Sequence, residues 1–306
     1  MMYLLRWAVV SFGVFFLLYA GLSFVVVISW RTLKNQLSAT ALFTLRALPL
    51  FFASAIVLLV AVPSFFSLEP NSAEESVGAG GIFIALGGGT VVLIGLISVA
   101  AAWRRAARFL ASCAANSRQL MTDVGVPAFE VSGPAPALLV GGVCRPRLLV
   151  SGRAAELLSQ REMDVAIRHE LAHIRRHDNL KKLILHFCVF PFFAALDREW
   201  LMAAEIAADD AAANDEQAAL DLASALLKIA RDSSSAPMPA LAMSLVPERG
   251  AAVSARVERL LSWKRPANQH RSWHTLALVA GITVLAVTHY PWVLAQMHEF
   301  TELLVR

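Results

Sequence analysis

The chain has 306 residues and a formal net charge of +4. Its composition, 57% hydrophobic and 16% charged with a mean hydropathy of +0.59, lies outside the range of soluble globular domains. Basic residues do not gather on an aromatic-interleaved face, so direct nucleic-acid binding is not expected.

Four stretches reach the length of about 20 apolar residues that a bilayer crossing needs: residues 8–29, 47–68, 80–102 and roughly 273–294. The first exceeds the apolar core of a signal peptide and is not followed by a small-residue cleavage site, so it reads as a retained anchor. The last is interrupted by His289 and Pro291. Between the first two stretches lie Arg31, Lys34 and Arg46 with no acidic residue, and between the next two lie Glu69, Glu74 and Glu75 with no basic one. The excess of Lys and Arg on cytoplasmic connections places the first loop inside and the second outside. The third stretch ends on Trp103-Arg104-Arg105-Ala106-Ala107-Arg108, a basic collar suited to the cytoplasmic face and to anionic lipid. The expected fold is mainly α. It is a four-span helical protein of the inner (plasma) membrane, with three spans in residues 1–103, a cytoplasmic domain over 104–271, and the fourth span and a short external tail over 272–306. Both termini are then outside, and the lipid bilayer is a partner.

The cytoplasmic segment opens with an expected helix from Arg104 to about Val124. The short apolar runs 129–131, 137–140 and 147–150, separated by Gly and Pro, read as a small β-sheet. An extended substrate could add to such a sheet, with 138–142 or 148–151 as the receiving backbone.

Next comes His169-Glu170-Leu171-Ala172-His173. Two histidines four apart share one helix face one turn apart, so both imidazoles can reach a single Zn2+ ion while the glutamate between them handles the proton of a water. A catalytic zinc needs a third protein ligand and an open fourth position. Glu205, among small residues in an Ala-rich helical stretch, is the candidate third ligand. Asp209 follows it by one turn on the same face and is a candidate to orient a zinc-bound imidazole. Asp178 is a second candidate for that role, although Asp178 or Asn179 could equally end the helix as turn residues. The apolar run 183–196 is too short to cross a bilayer and contains Pro191. A crossing there would also separate Glu205 from the two histidines, so it is expected to pack on the bilayer surface or against the spans. Cys113, Cys144 and Cys188 are odd in number, lack metal spacing and read as free thiols.

The run from Pro146 to Val150, the segment from Arg168 to Leu180 and the later Glu205-Ile206-Ala207-Ala208-Asp209 together resemble the BlaR/MecR-type antirepressor membrane zinc metallopeptidases. The resemblance implies a cytoplasmic gluzincin-type zinc peptidase domain, one zinc per chain held by His169, His173 and Glu205, and Glu170 as catalytic base. Arg256 resembles an arginine found after the zinc site in related membrane proteases; the alternative is a surface arginine on an amphipathic helix. The function implied is a membrane-anchored zinc metalloendopeptidase acting on a cytoplasmic, membrane-proximal protein or peptide substrate, such as a repressor, in regulatory signalling. The alternatives are a membrane protein quality-control protease and an inactive membrane scaffold. β-Lactam-sensing members carry a penicillin-binding sensor domain after the last span, whereas this sequence stops at Arg306, so nothing in it is expected to bind a β-lactam in that way.

Overall fold

The computed structural model describes residues 2–33, 37–68, 77–115, 117–120, 125–132, 135–232, 241–244, 251–264 and 288–305. Three helical stretches are long and apolar enough to cross a membrane: Tyr3–Trp30, Ala39–Leu68 and Ala79–Ala115. The first lies in α1 (Met2–Leu33). The second is α2 (Ala39–Ile56), capped by the Ser38 hydroxyl, which accepts from the Ala41 amide at 3.2 Å. It continues as one π-helical turn, Val57–Ala61, and then as α3 (Val62–Leu68). The third is α4 (Ala79–Ala115). Arg46, expected in the first connection, lies inside α2 and is buried. α1 and α4 cross closely because position 88 is glycine: a Cβ there would collide with the Phe12 carbonyl. The expected fourth span and the 271/272 boundary fall largely outside the described residues, which resume at Thr288 and form α11 (Tyr290–Val305).

α4 does not stop at the basic collar. At 37 residues and 1.5 Å per residue it is about 55 Å long, enough to cross a bilayer and still reach the sheet. It ends at Ala115, so the helix expected to reach Val124 is corrected: Ser117–Leu120 is a strand, β1. Then follow β2 (Ala128–Val131), β3 (Leu138–Gly141), β4 (Arg147–Ser151), α5 (Gly152–Leu157), α6 (Gln160–Arg175), α7 (Asp178–Phe187), α8 (Ala194–Ala212), α9 (Glu216–Arg231), β5 (Ala242–Ser244) and α10 (Ala251–Leu261).

The sheet runs β1-β2-β4-β3-β5, with only β2 and β4 parallel. Side chains alternate across it. Leu138, Val140, Leu148 and Val150 face a core with Val165 and Ala166 of α6, Leu222 and Leu226 of α9, and Val257 and Leu260 of α10. Leu139 and Leu149 face Phe109, Leu110 and Cys113 of α4 on the other side. This order changes the expected docking edge. β4 is paired on both sides, so residues 148–151 offer no free backbone edge. β3 pairs outward with β5, Leu139 opposite Ser244.

The apolar run 183–196 forms the bend of a hairpin between α7 and α8. It is inserted among the apolar helices and returns. The Tyr19 hydroxyl of α1 donates to the Val189 carbonyl at 2.8 Å, Phe190 packs edge-on to Tyr19, and Gly95 of α4 admits the Phe187 backbone.

Candidate active site

The site is built on α6. Its N-terminus carries a reciprocal cap: the Ser159 hydroxyl accepts from the Glu162 amide, and the Glu162 carboxylate accepts from the Ser159 amide at 2.7 Å. From that start the helix turns Val165, Ala166, His169, Glu170, Ala172 and His173 inward, on the i, i+3, i+4 pattern of a buried face. His169 and Glu170 are fully buried and His173 nearly so. α6 ends at Arg175, and His177 takes a left-handed φ of 55°. The chain thereby turns sharply into α7, whose first residue is Asp178.

α8 brings Glu205 to the two histidines, letting one ligand atom from each of the three lie within 4.8 Å of the others. The two Nε2 atoms are 3.2 Å apart. Glu205 oxygens lie 3.4 Å from His169 Nε2 and 3.7 Å from His173 Nε2. Tetrahedral zinc with bonds of about 2.0–2.1 Å separates its ligand atoms by about 3.3–3.4 Å, so these residues fit that ion. Without an ion, a ring N–H has to bridge these nitrogens and the carboxylate, as a proton on His169 would. Glu170 lies beside the cluster, and neither of its carboxylate oxygens has a hydrogen-bond partner among the described residues.

The outer nitrogen of each histidine meets a carboxylate. His173 Nδ1 lies 2.8 Å from Asp178 Oδ2 and His169 Nδ1 lies 3.0 Å from Asp209 Oδ1, an arrangement that directs both Nε2 lone pairs at one point. Asp178 is thus neither a helix terminator nor solvated. Arg256 is not a surface residue: it is buried on α10, grips Asp209 through Nε and Nη2 at 2.8 and 2.7 Å, and reaches Glu205 with Nη1 at 3.0 Å.

Burial by itself raises carboxyl pKa values. At Asp209 the Arg256 guanidinium outweighs it and holds the group at about 2; at Asp178 the hydrogen bond from His173, helped by Arg176 and Lys181, also gives about 2. Glu205 is lowered against its burial, chiefly by Arg256. Burial prevails at Glu170 and lifts it to about 8, and it lowers His173. At His169 burial is overcome by Asp209 and Glu205, which raise it to about 9. A proton there competes with a metal.

Two residues were not singled out from the sequence. Asn179, treated there only as a turn residue, donates through Nδ2 to the carbonyls of Val140 and Gly142, both at 3.1 Å, tying β3 to the start of α7. Lys182 is lowered to about 8 by burial against the pull of Glu205, Asp178 and Glu170. Asparagine beside aspartate and a lysine pair on a helix carry no pattern that distinguishes these roles. A cavity of about 360 Å³ opens against Glu205 and Arg256 between α8 and α10. His186 lines a separate cavity with Lys182 and Trp200.

The family model described as BlaR1 peptidase M56 matches residues 81–260. No curated protein matches the chain.

Proposed function

Because the chain belongs to the BlaR1 peptidase M56 family, and so is a membrane-associated peptidase, we propose that it is a zinc metalloendopeptidase that cleaves a cytoplasmic, membrane-proximal protein, a repressor or another regulator, in signalling. The observation that carries this reading is the convergence of His169, His173 and Glu205 at zinc-like separations beside a buried Glu170.

His169, His173 and Glu205 would hold the ion, which when bound supplies an activated water and a Lewis acid for the scissile carbonyl. Glu170 accepts a proton at its carboxylate and returns it to the leaving amine. Burial suits it to this, because a carboxyl lifted toward neutrality can both take and give a proton. Asp209 and Asp178 keep the Nδ1 protons in place so that the Nε2 atoms stay free to ligate. Arg256 holds Asp209 and Glu205 as anions.

Our reading of the organisation is three spans in residues 1–103, a cytoplasmic peptidase domain over 104–271 and a fourth crossing after it, with both termini outside. Support comes from α11. Tyr290 donates to the Leu59 carbonyl at 2.6 Å, Ser64 donates to the Leu294 carbonyl at 2.8 Å, and Arg6 pairs with Glu302 at 3.8 Å. These contacts lie toward the start of α1 and the end of the second span, whereas α8 packs on the start of α2, where Phe43 meets Trp200. α8 and α11 therefore pack at opposite ends of the bundle. The charged flanks of α6, including Arg161, Asp164, Arg168 and Arg175, favour a site outside the hydrocarbon.

The test is metal content and turnover together. Protein purified in detergent should carry about one zinc per chain, Glu205→Ala should lose it as His169→Ala does, and Glu170→Gln should keep it while losing turnover. An active Glu170→Gln variant sinks the mechanism. Proteins that accumulate in cells carrying Glu170→Gln separate the roles: a single regulator supports signalling, whereas many unrelated membrane fragments indicate quality control.

A further inference from the structure

Arg46 is a charged residue within the second apolar helix, with its side chain 4% exposed. An arginine at such a place is costly unless it is paired and is a functional candidate by default. The contacts described for it all go to the α7–α8 hairpin, and they touch both arms. Nε donates to Asp197 Oδ1 at 2.7 Å, in the first turn of α8. Nη2 donates to the carbonyl of Cys188, which caps the end of α7, at 2.7 Å. The guanidinium carbon lies 3.9 Å from the centre of the Phe193 ring between them. The bend it spans contains Phe192 at a φ of 75°, a conformation that a bulky residue adopts only when its surroundings impose it.

At the other end of the same hairpin stand two parts of the active site. Asp178, which holds His173, begins α7, and Glu205 lies eight residues beyond Asp197 on α8, about 12 Å along the helix. Leu196, Trp200 and Ala204 pack against Leu42 and Phe43 of α2, so α8 between Asp197 and Glu205 is held against the second apolar helix.

We propose that Arg46 is a positioning residue of the zinc site: by bridging both arms of the hairpin at its membrane end, it sets where Glu205 stands relative to His169 and His173. This rests on the zinc reading of the three ligands. The consequence is that a displacement of the second span reaches the third ligand without passing through α6.

The test is a double-mutant cycle on zinc affinity, read by chelator competition in detergent, with the visible spectrum of the Co2+-substituted protein as a second readout of ligand geometry. Arg46→Met should weaken zinc at least tenfold and change the Co2+ spectrum. In a Glu205→Asp background, which keeps a weaker carboxylate ligand so that affinity stays measurable, the same substitution should change affinity less than twofold, because the shortened carboxylate is already off its position. Arg46→Lys, which cannot reach both partners, should fall between. Equal losses in the two backgrounds, or no loss in the wild type, overturn the proposal. If Arg46→Met is not recovered as monodisperse protein, Asp197→Asn and Arg46→Lys carry the same comparison with the same two outcomes. A wild-type protein that binds no zinc removes the metallopeptidase reading and this inference with it, whereas zinc bound without coupling removes the inference alone.

Discussion

Arg256 reaches two carboxylates at once: Asp209, which lies 3.0 Å from His169 Nδ1, and Glu205, the candidate third ligand. Lysine at this position keeps the charge but cannot present the planar fork that fits Asp209 bidentately. Arg256→Lys is therefore expected to lower zinc affinity by about 10–100-fold, the range seen when partners of metal ligands are removed, while leaving His173 and Asp178 in place. Chelator titration of the purified variant measures this. Arg256→Ala should be worse for folding, since it strands two buried carboxylates at a cost of about 3–5 kcal/mol.

Helix ends leave backbone groups that single residues can satisfy, and α6 shows this. Glu162 closes the N-terminal cap with Ser159 and also accepts from Ser224 and Lys228, at 2.5 and 2.6 Å. Burial works to raise its pKa, but these donors prevail and hold it at about 2, below an unfolded value of about 4.3. A carboxyl depressed in the folded state adds stability that is fully present above the unfolded pKa and is lost as pH falls through the folded one. Glu162→Gln should cost about 1–3 kcal/mol at pH 7, and the gap from wild type should close as pH drops from about 4.5 to about 2. Denaturant melts of both proteins across that range check the sign.

α4 offers a second element-scale test. Gly88 and Gly89 are neighbours in one helix, yet a Cβ at Gly88 meets the Phe12 backbone and a Cβ at Gly89 meets nothing within 4 Å. Gly88→Ala should lower the melting temperature in detergent, because backbone cannot yield as a side chain can. Gly89→Ala should leave it unchanged or raise it slightly.

At the scale of the whole molecule, the sheet and the candidate site are continuous with the apolar helices. α4 carries the third apolar helix onto the sheet's outer face, and the α7–α8 hairpin reaches back among the apolar helices. The orientation we propose is checked by reporters active only in the cytoplasm. Fusions after Asn35 or within residues 232–239 should be active, and fusions after Asn71 or at Arg306 silent. Activity at Arg306 would mean that no fourth crossing is made.

Local periodicity and composition determined much of this in advance. Apolar stretches of sufficient length marked the three helices that are long and apolar enough to cross a membrane, because a bilayer demands about 20 apolar residues whatever they pack against. The i, i+4 histidines marked a face that could hold a metal because helix geometry alone puts them together. Glu205 and Asp209 were legible for the same reason, being one turn apart among small residues. Asp178, Arg256, Asn179 and Arg46 were ambiguous or misplaced, because whether a charged residue is solvated, caps a turn or is buried against a partner depends on what the tertiary fold brings opposite it. His173, Asp209, the β3 carbonyls and the hairpin bend were those partners, and they lie 5 to 151 residues away in sequence. The sheet shows the same limit. Three strands were readable from their apolar runs, but Ser117–Leu120 and Ala242–Ser244 are short and unremarkable in composition, and they become strands only because an edge of the sheet is there to pair with them.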